Sequence, residues 1–194
     1  VKVSCTKAAG SGKDYQVQVE IAGQRSSESS VTEIFQYKNP SISALSVAGV
    51  NSVMETTGES SVVISGHNFG PACFGCVAAT YSSGSNSYTA TCNVTGDSHQ
   101  ALLCSTEAGV GKDHAWVVTR DALASTVSSG PGGLVSYAAP ELDATSPLSG
   151  AGLVNASTSG NETIVITGLN FGPPSHTDIT VVYGPSFNPG QYVA

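Results

Sequence analysis

The chain repeats itself, and the period limits it to units of about 100 residues. Residues 5–14 read CTKAAGSGKD, and residues 104–113 read CSTEAGVGKD, 99 positions on. FQYKNP at 35–40 and VSYAAP at 135–140 stand 100 apart, while VVISGHNFGP at 62–71 and IVITGLNFGP at 164–173 stand 102 apart. Val77, Ala79 and Tyr81 match Ile179, Val181 and Tyr183 at the same offset of 102. Four matches in one order, drifting by only three residues, are the mark of duplication with small insertions in turns. The phase divides the chain into three. Residues 39–138 hold a complete unit, residues 139–194 match its first half, and residues 1–38 match its second half. The two ends together make one more unit, with a few residues missing at the join.

Each unit has the periodicity of β-structure. Tyr15, Val17, Val19 and Ile21 alternate with Gln16, Gln18 and Glu20, which predicts a strand with one apolar and one polar face. His114, Trp116 and Val118 are the inward set of the equivalent strand. Residues 62–64 and 164–166 are short β-branched runs stopped by glycine, residues 179–183 alternate again, and no window shows helical spacing with caps. Short strands between Gly, Ser, Asn and Pro turns, about ten residues apart, predict an antiparallel sandwich.

The I-x-I-x-G-x-N-F-G-P pattern of residues 164–173, its variant at 62–71, the Y-x-x-P junctions at Tyr37 and Tyr137, and the C-x-x-x-x-G-x-G turn together resemble IPT/TIG domains. These are the immunoglobulin-like modules of plexin-type receptors, fibrocystin-like proteins and many algal or protist surface proteins. The resemblance covers the whole chain. It implies an all-β fold of tandem immunoglobulin-like antiparallel β-sandwiches, a role in adhesion, recognition or spacing, and no catalytic residues. The corner motif has a physical account of its own. Its glycines allow positive φ as the chain leaves the strand. Asn68 and Asn170 can bond nearby backbone, Phe69 and Phe171 are expected to plug the core, and the proline stops the ladder.

Five cysteines are present, at 5, 73, 76, 92 and 104. Cys73 and Cys76 form a C-x-x-C, which paired with a second such knuckle would signal zinc. Cys92 and Cys104 are instead twelve apart, a strand-and-return spacing. A Ser/Thr-rich sandwich favours disulfides, so Cys92–Cys104 is expected to link neighbouring strands and Cys73–Cys76 to close a small loop. Repeat arithmetic makes Cys5 the equivalent of Cys104. Its partner is then expected outside the chain, a dozen residues before Val1 or just beyond Ala194.

Three sequons, Asn93-Val-Thr, Asn155-Ala-Ser and Asn161-Glu-Thr, are candidate N-glycosylation sites, the last two in one predicted loop. Ser/Thr-rich stretches such as 26–30 are open to O-linked sugars. Charged residues are 11% of the chain, against about 25% ordinarily. The net charge of −7 and seven scattered basic residues argue against nucleic acid. No apolar run approaches the 18 or so residues of a membrane span, and no signal-peptide pattern opens the chain, which reads as mature or as part of a longer one.

Catalytic patterns are missing. GSGKD lacks the spacing of a phosphate loop and opens a strand, and its recurrence at 109–113 marks it as a turn. His67, His99, His114 and His176 share no triad or metal spacing, no G-x-S-x-G occurs, and no cofactor is expected. Two roles remain. In the first the chain is an extracellular structural repeat protein, a stiff rod or filament without linkers, whose half units are completed by copies of itself or by adjacent repeats. In the second it is a receptor or adhesin ectodomain binding protein or glycan. The second wants an exposed aromatic patch, whereas most of the 7% aromatics fall at predicted core positions.

Overall fold

The computed structural model describes residues 2–48, 53–73, 75–96 and 99–194. Before the complete unit, β1 (Glu20–Ile21) and β2 (Gln24–Arg25) form a hairpin. Its turn places Ala22 and Gly23 at φ 50° and 81°. Tyr15 and Phe35 bridge through two backbone hydrogen bonds of 3.1 and 3.0 Å.

The complete unit holds β3 (Ser41–Val47), β4 (Ser61–His67), β5 (Val77–Ser83), β6 (Asn86–Val94), β7 (Ala101–Thr106), β8 (His114–Arg120), β9 (Leu123–Ala124) and β10 (Leu134–Val135). The strands pair antiparallel in the order β10-β8-β5-β6-β7-β4-β3, with β9 on β8. Alternate residues point inward: every second residue of β8 is buried, from His114 to Arg120. All-β architecture matches the sequence reading, but the hydrogen bonding runs through one continuous curled sheet. The expected gap between two sheets is bridged by β6. Its nine residues pair with β5 along 86–92 and with β7 along 90–94. The sheet curls until its edges meet. Leu45 N–H donates to Gly132 O (2.7 Å), and Met54 bridges Tyr137.

Trp116 lies at the centre of the core, stacked on Tyr81 at 4.4 Å between ring centroids. Around it a polar chain is fully connected. Tyr81 Oη donates to Tyr137 Oη (2.7 Å), Tyr137 Oη donates to Glu107 O (2.7 Å), and Glu107 N–H donates back to Tyr81 Oη (3.1 Å). Burial raises the pKa of both phenols. His114 is fully buried against Tyr81, Tyr88 and Tyr137, with Nε2 on Val110 O (3.1 Å).

Desolvation holds the His114 pKa below the ordinary 6.5, against the opposite pull of the Val110 and Gly111 backbone and of Asp113. Below that pH the unfolded chain takes up a proton that the folded chain does not. Stability is therefore complete above pH 6.5 and lost as pH falls. The melting temperature is expected to drop between pH 7 and pH 5. His114→Tyr should remove that part of the slope, because Tyr15 already fills the equivalent position and bonds Ser11 O (2.5 Å). A slope unchanged in the variant would assign the acid sensitivity elsewhere.

After the complete unit come β11 (Glu141–Leu142), β12 (Leu148–Ser149), a 3-10 turn (Ala151–Leu153), β13 (Val165–Ile166), β14 (Gly168–Leu169), β15 (Val182–Tyr183) and β16 (Tyr192–Val193). Their registers copy the complete unit. Glu141↔Leu169 and Leu142↔Gly168 repeat Ser41↔His67 and Ile42↔Gly66. Leu148↔Ile166 and Ser149↔Val165 repeat Leu45↔Ile64 and Ser46↔Val63. The extra residues between Leu142 and Leu148 fall where β3 has its own irregularity, between Ile42 and Ala44. Tyr183 opposes Tyr192 with rings 5.3 Å apart, as Tyr81 opposes Tyr88 at 5.4 Å.

Candidate functional site

The two flanking segments carry the folding instructions of the complete unit but leave their inner faces open. In β8, Trp116 N–H and Val118 N–H donate to Ser128 Oγ (2.7 Å) and Ser125 Oγ (3.0 Å). The earlier segment repeats this: Val17 and Val19 N–H donate to Ser29 Oγ and Ser26 Oγ, both at 3.0 Å. One edge of residues 15–21 is thus satisfied. The other edge, which in β8 pairs with β5, has no strand beside it among the described residues. The reciprocal edge of β15 is equally unpaired, since β15 pairs only with β16.

The side chains tell the same story. Trp116 and Val118 are fully buried, whereas Val17 and Val19 are 47% and 40% exposed. Tyr81 is 1% exposed and Tyr183 55%. The alternation at Tyr15, Val17, Val19 and Ile21 is therefore present, but its apolar face is open where a half-buried strand was expected. Phe69 plugs the core as expected, while Phe171 remains over a third exposed. Of the large exposed hydrophobic residues among those described, only Leu103, Val127 and Leu134 lie within 39–138. A groove of about 580 Å³ marks the open face of residues 139–194, lined by Leu142, Leu148, Ile166, Phe171, Ile179 and Tyr183 among others. Their counterparts Leu45, Ile64, Phe69, Val77 and Tyr81 are buried, and Ile42 packs on the same core.

The two repeated motifs meet at the junctions. The turn of one unit lies beside the Asn-Phe-Gly-Pro corner of the next. Ser11 Oγ donates to the Asp121 carboxylate, and residues Ala8, Ala9 and Gly10 share a cleft with Asn68, Gly70 and His99. Val110 and Gly111 likewise share the larger groove with Asn170 and Phe171, and Val110 packs on Gly172. The corners are built alike. Asn68 and Asn170 adopt φ 64° and 62°, and their Nδ2 atoms donate to Asn39 O and Ala139 O, both at 3.1 Å. A side chain on Gly66 or Gly168 would overlap the carbonyl of Ser41 or Glu141 and the ring of Phe69 or Phe171. Arg120 was not singled out in the sequence, yet it fastens the first corner, donating from Nη1 to Phe69 O (2.7 Å) and Pro71 O (3.0 Å). A basic residue ending an inward-alternating strand, where the earlier segment has Ile21, was the available signal.

The cysteines fall into two pairs at bonding distance, Cys92–Cys104 across β6 and β7 with Cα atoms 4.1 Å apart, and Cys73–Cys76 at 6.0 Å. Cys5 is exposed and unpaired among the described residues. Asn155 and Asn161 are exposed at φ 59° and 67° in the loop before β13. Asn93 is half-buried on β6, where its Oδ1 accepts from Gly75 N–H (2.9 Å). Compared with protein-family models, with curated proteins and with solved structures, the chain matches none.

Proposed function

We propose that this chain is an extracellular structural repeat protein whose immunoglobulin-like units stack without linkers into a stiff rod or filament. The observation that carries this reading is the junction: the same turn meets the same corner at both unit boundaries. Backbone fixed by packing and hydrogen bonds on both sides of a boundary does not behave as a flexible linker. Two cysteine pairs at bonding distance fit an oxidising compartment, and N-linked glycans at Asn93, Asn155 and Asn161 belong to the same reading. The competing role, a receptor or adhesin ectodomain, is less well supported. Of the exposed aromatic residues among those described, Tyr15, Phe35, Phe171, Tyr183 and Tyr192 occupy positions that the complete unit packs in or against its core, which leaves Phe187 alone without a core counterpart.

Small-angle X-ray scattering is expected to show one stiff particle. Gly172 has φ +90°, and any β-carbon there would overlap Val110. Gly172→Val is therefore expected to loosen the second junction, lengthening the tail of the distance distribution while residues 39–138 stay folded. Scattering of beads on a flexible string from the unaltered chain would sink the rod. Secretion from a eukaryotic host should add glycan mass that N-glycosidase removes.

A further inference from the structure

We propose that the open face of residues 139–194 is filled by residues 2–38 of a second copy of this chain, head to tail. The inference rests on the array reading above and names the contact that extends it. Three observations converge. The first is hydrogen-bonding edges. Applying the register of the complete unit, in which Tyr81 faces Trp116 and Ala79 faces Val118 across β5 and β8, sets Tyr183 opposite Val17 and Val181 opposite Val19. Likewise Val62↔Cys104 and Ile64↔Leu102 across β4 and β7 become Ile164↔Cys5 and Ile166↔Val3. Each edge so joined has no partner strand among the described residues. The composite then has a counterpart for every strand of the complete unit. It lacks counterparts only for residues 91–100, the second half of β6 and the residues that follow it.

The second observation is apolar surface. Val3, Val17 and Val19 on one segment, and Ile164, Ile179 and Tyr183 on the other, are each at least 40% exposed, and every one occupies a position buried in the complete unit. Their sizes have also drifted in a compensating sense. Val17 is smaller than Trp116, while Ile179 and Val181 are larger than Val77 and Ala79. Total volume is what a core conserves. The joined aromatic residues Tyr15, Tyr37, Tyr183 and Tyr192 would rebuild the cluster of His114, Tyr137, Tyr81 and Tyr88.

The third is charge. Residues 2–38 hold five of the seven basic residues, Lys2, Lys7, Lys13, Arg25 and Lys38, against Asp14, Glu20, Glu28 and Glu33, a net charge of +1, while residues 139–194 have no Lys or Arg and carry Glu141, Asp143, Glu162 and Asp178, a net charge of −4. Complementary charge favours this encounter over contact between two like faces.

A head-to-tail contact is heterologous, so it grows open chains instead of closed two-fold dimers. Light scattering coupled to gel filtration should find oligomers that lengthen with concentration. Val17→Asp blocks one face and Tyr183→Asp the other. Each variant alone should be monomeric, and their mixture should give a 1:1 dimer and nothing larger. The single tryptophan, Trp116, reports by fluorescence that the complete unit stays folded in both. Independently, Ile164→Cys should form an intermolecular disulfide with Cys5 of the next copy and yield a non-reducing ladder. Val165→Cys, one residue out of phase, should not.

Each of the following results overturns the proposal: a wild-type monomer at all concentrations, a two-fold dimer in which each variant still self-associates, or faces that pair only when residues 1–38 are fused after Ala194. A stiff monomer would remove this contact and leave the rod. A hinged chain that still forms the 1:1 dimer would remove the rod and leave this contact.

Discussion

Trp116→Ala is expected to destabilise the complete unit by about 3–5 kcal/mol, the usual cost of truncating a fully buried tryptophan. Trp116 has no exposed surface, stacks on Tyr81 at 4.4 Å and sits where β5 and β8 face the opposite wall. Its removal leaves a cavity that the neighbouring Tyr81 cannot enter without breaking the bond to Tyr137. A domain of this size has about 5–15 kcal/mol in all, so the variant should melt far lower or fail to fold at 37 °C. The informative contrast is Val17→Ala at the equivalent position. Val17 is half exposed within one chain, so the isolated chain should change by no more than about 0.5 kcal/mol. Thermal melts by circular dichroism separate the two. A loss at Val17 as large as that at Trp116, measured on monomer, would mean that the flanking segment is already closed within the chain; a loss that grows with concentration would place the closure between copies.

Breaking the Cys92–Cys104 link is expected to cost about 2–5 kcal/mol. The link spans twelve residues and joins directly opposed positions of β6 and β7, both fully buried. In the chain-entropy account, closing a loop of about this length restricts the unfolded state by roughly 3 kcal/mol. The remainder comes from burying two thiols that the strands have already brought together. Cys92→Ala with Cys104→Ala should lower the denaturation midpoint and steepen the slope, because the unlinked denatured chain is less compact. Cys73→Ala with Cys76→Ala should matter less, because that link closes only three residues of partly buried surface. Equal losses from both pairs would put the stabilisation elsewhere than in loop closure.

Much of this architecture was legible in the residues. Alternation located the inward face of β8, and spacing paired Cys92 with Cys104 and Cys73 with Cys76, which the structure holds at bonding distance. The repeat also carries over into register, since Ile42↔Gly66 in the complete unit recurs as Leu142↔Gly168. What the residues did not disclose is which edges meet. Alternation fixes the face a side chain occupies, but pairing depends on backbone groups common to every residue, so β6 reads the same whether it ends one sheet or joins two. The open faces were hidden for a related reason. Val17 and Trp116 occupy the same place in the pattern, and only the surroundings make one exposed and the other buried. Arg120 escaped because its work is done by a guanidinium bonding two carbonyls far away in sequence, Phe69 O and Pro71 O.

The turn-on-corner junction has a geometric consequence. In the proposed array, with one contact repeated at every boundary, each unit would be rotated and advanced from the last by the same operation, and repeated operations of that kind trace a screw. Handedness and pitch would then be properties of local residues such as Gly172 and Val110, not of the units. A small change in tilt there, harmless to any one fold, would add up with each step and alter the shape of the whole assembly.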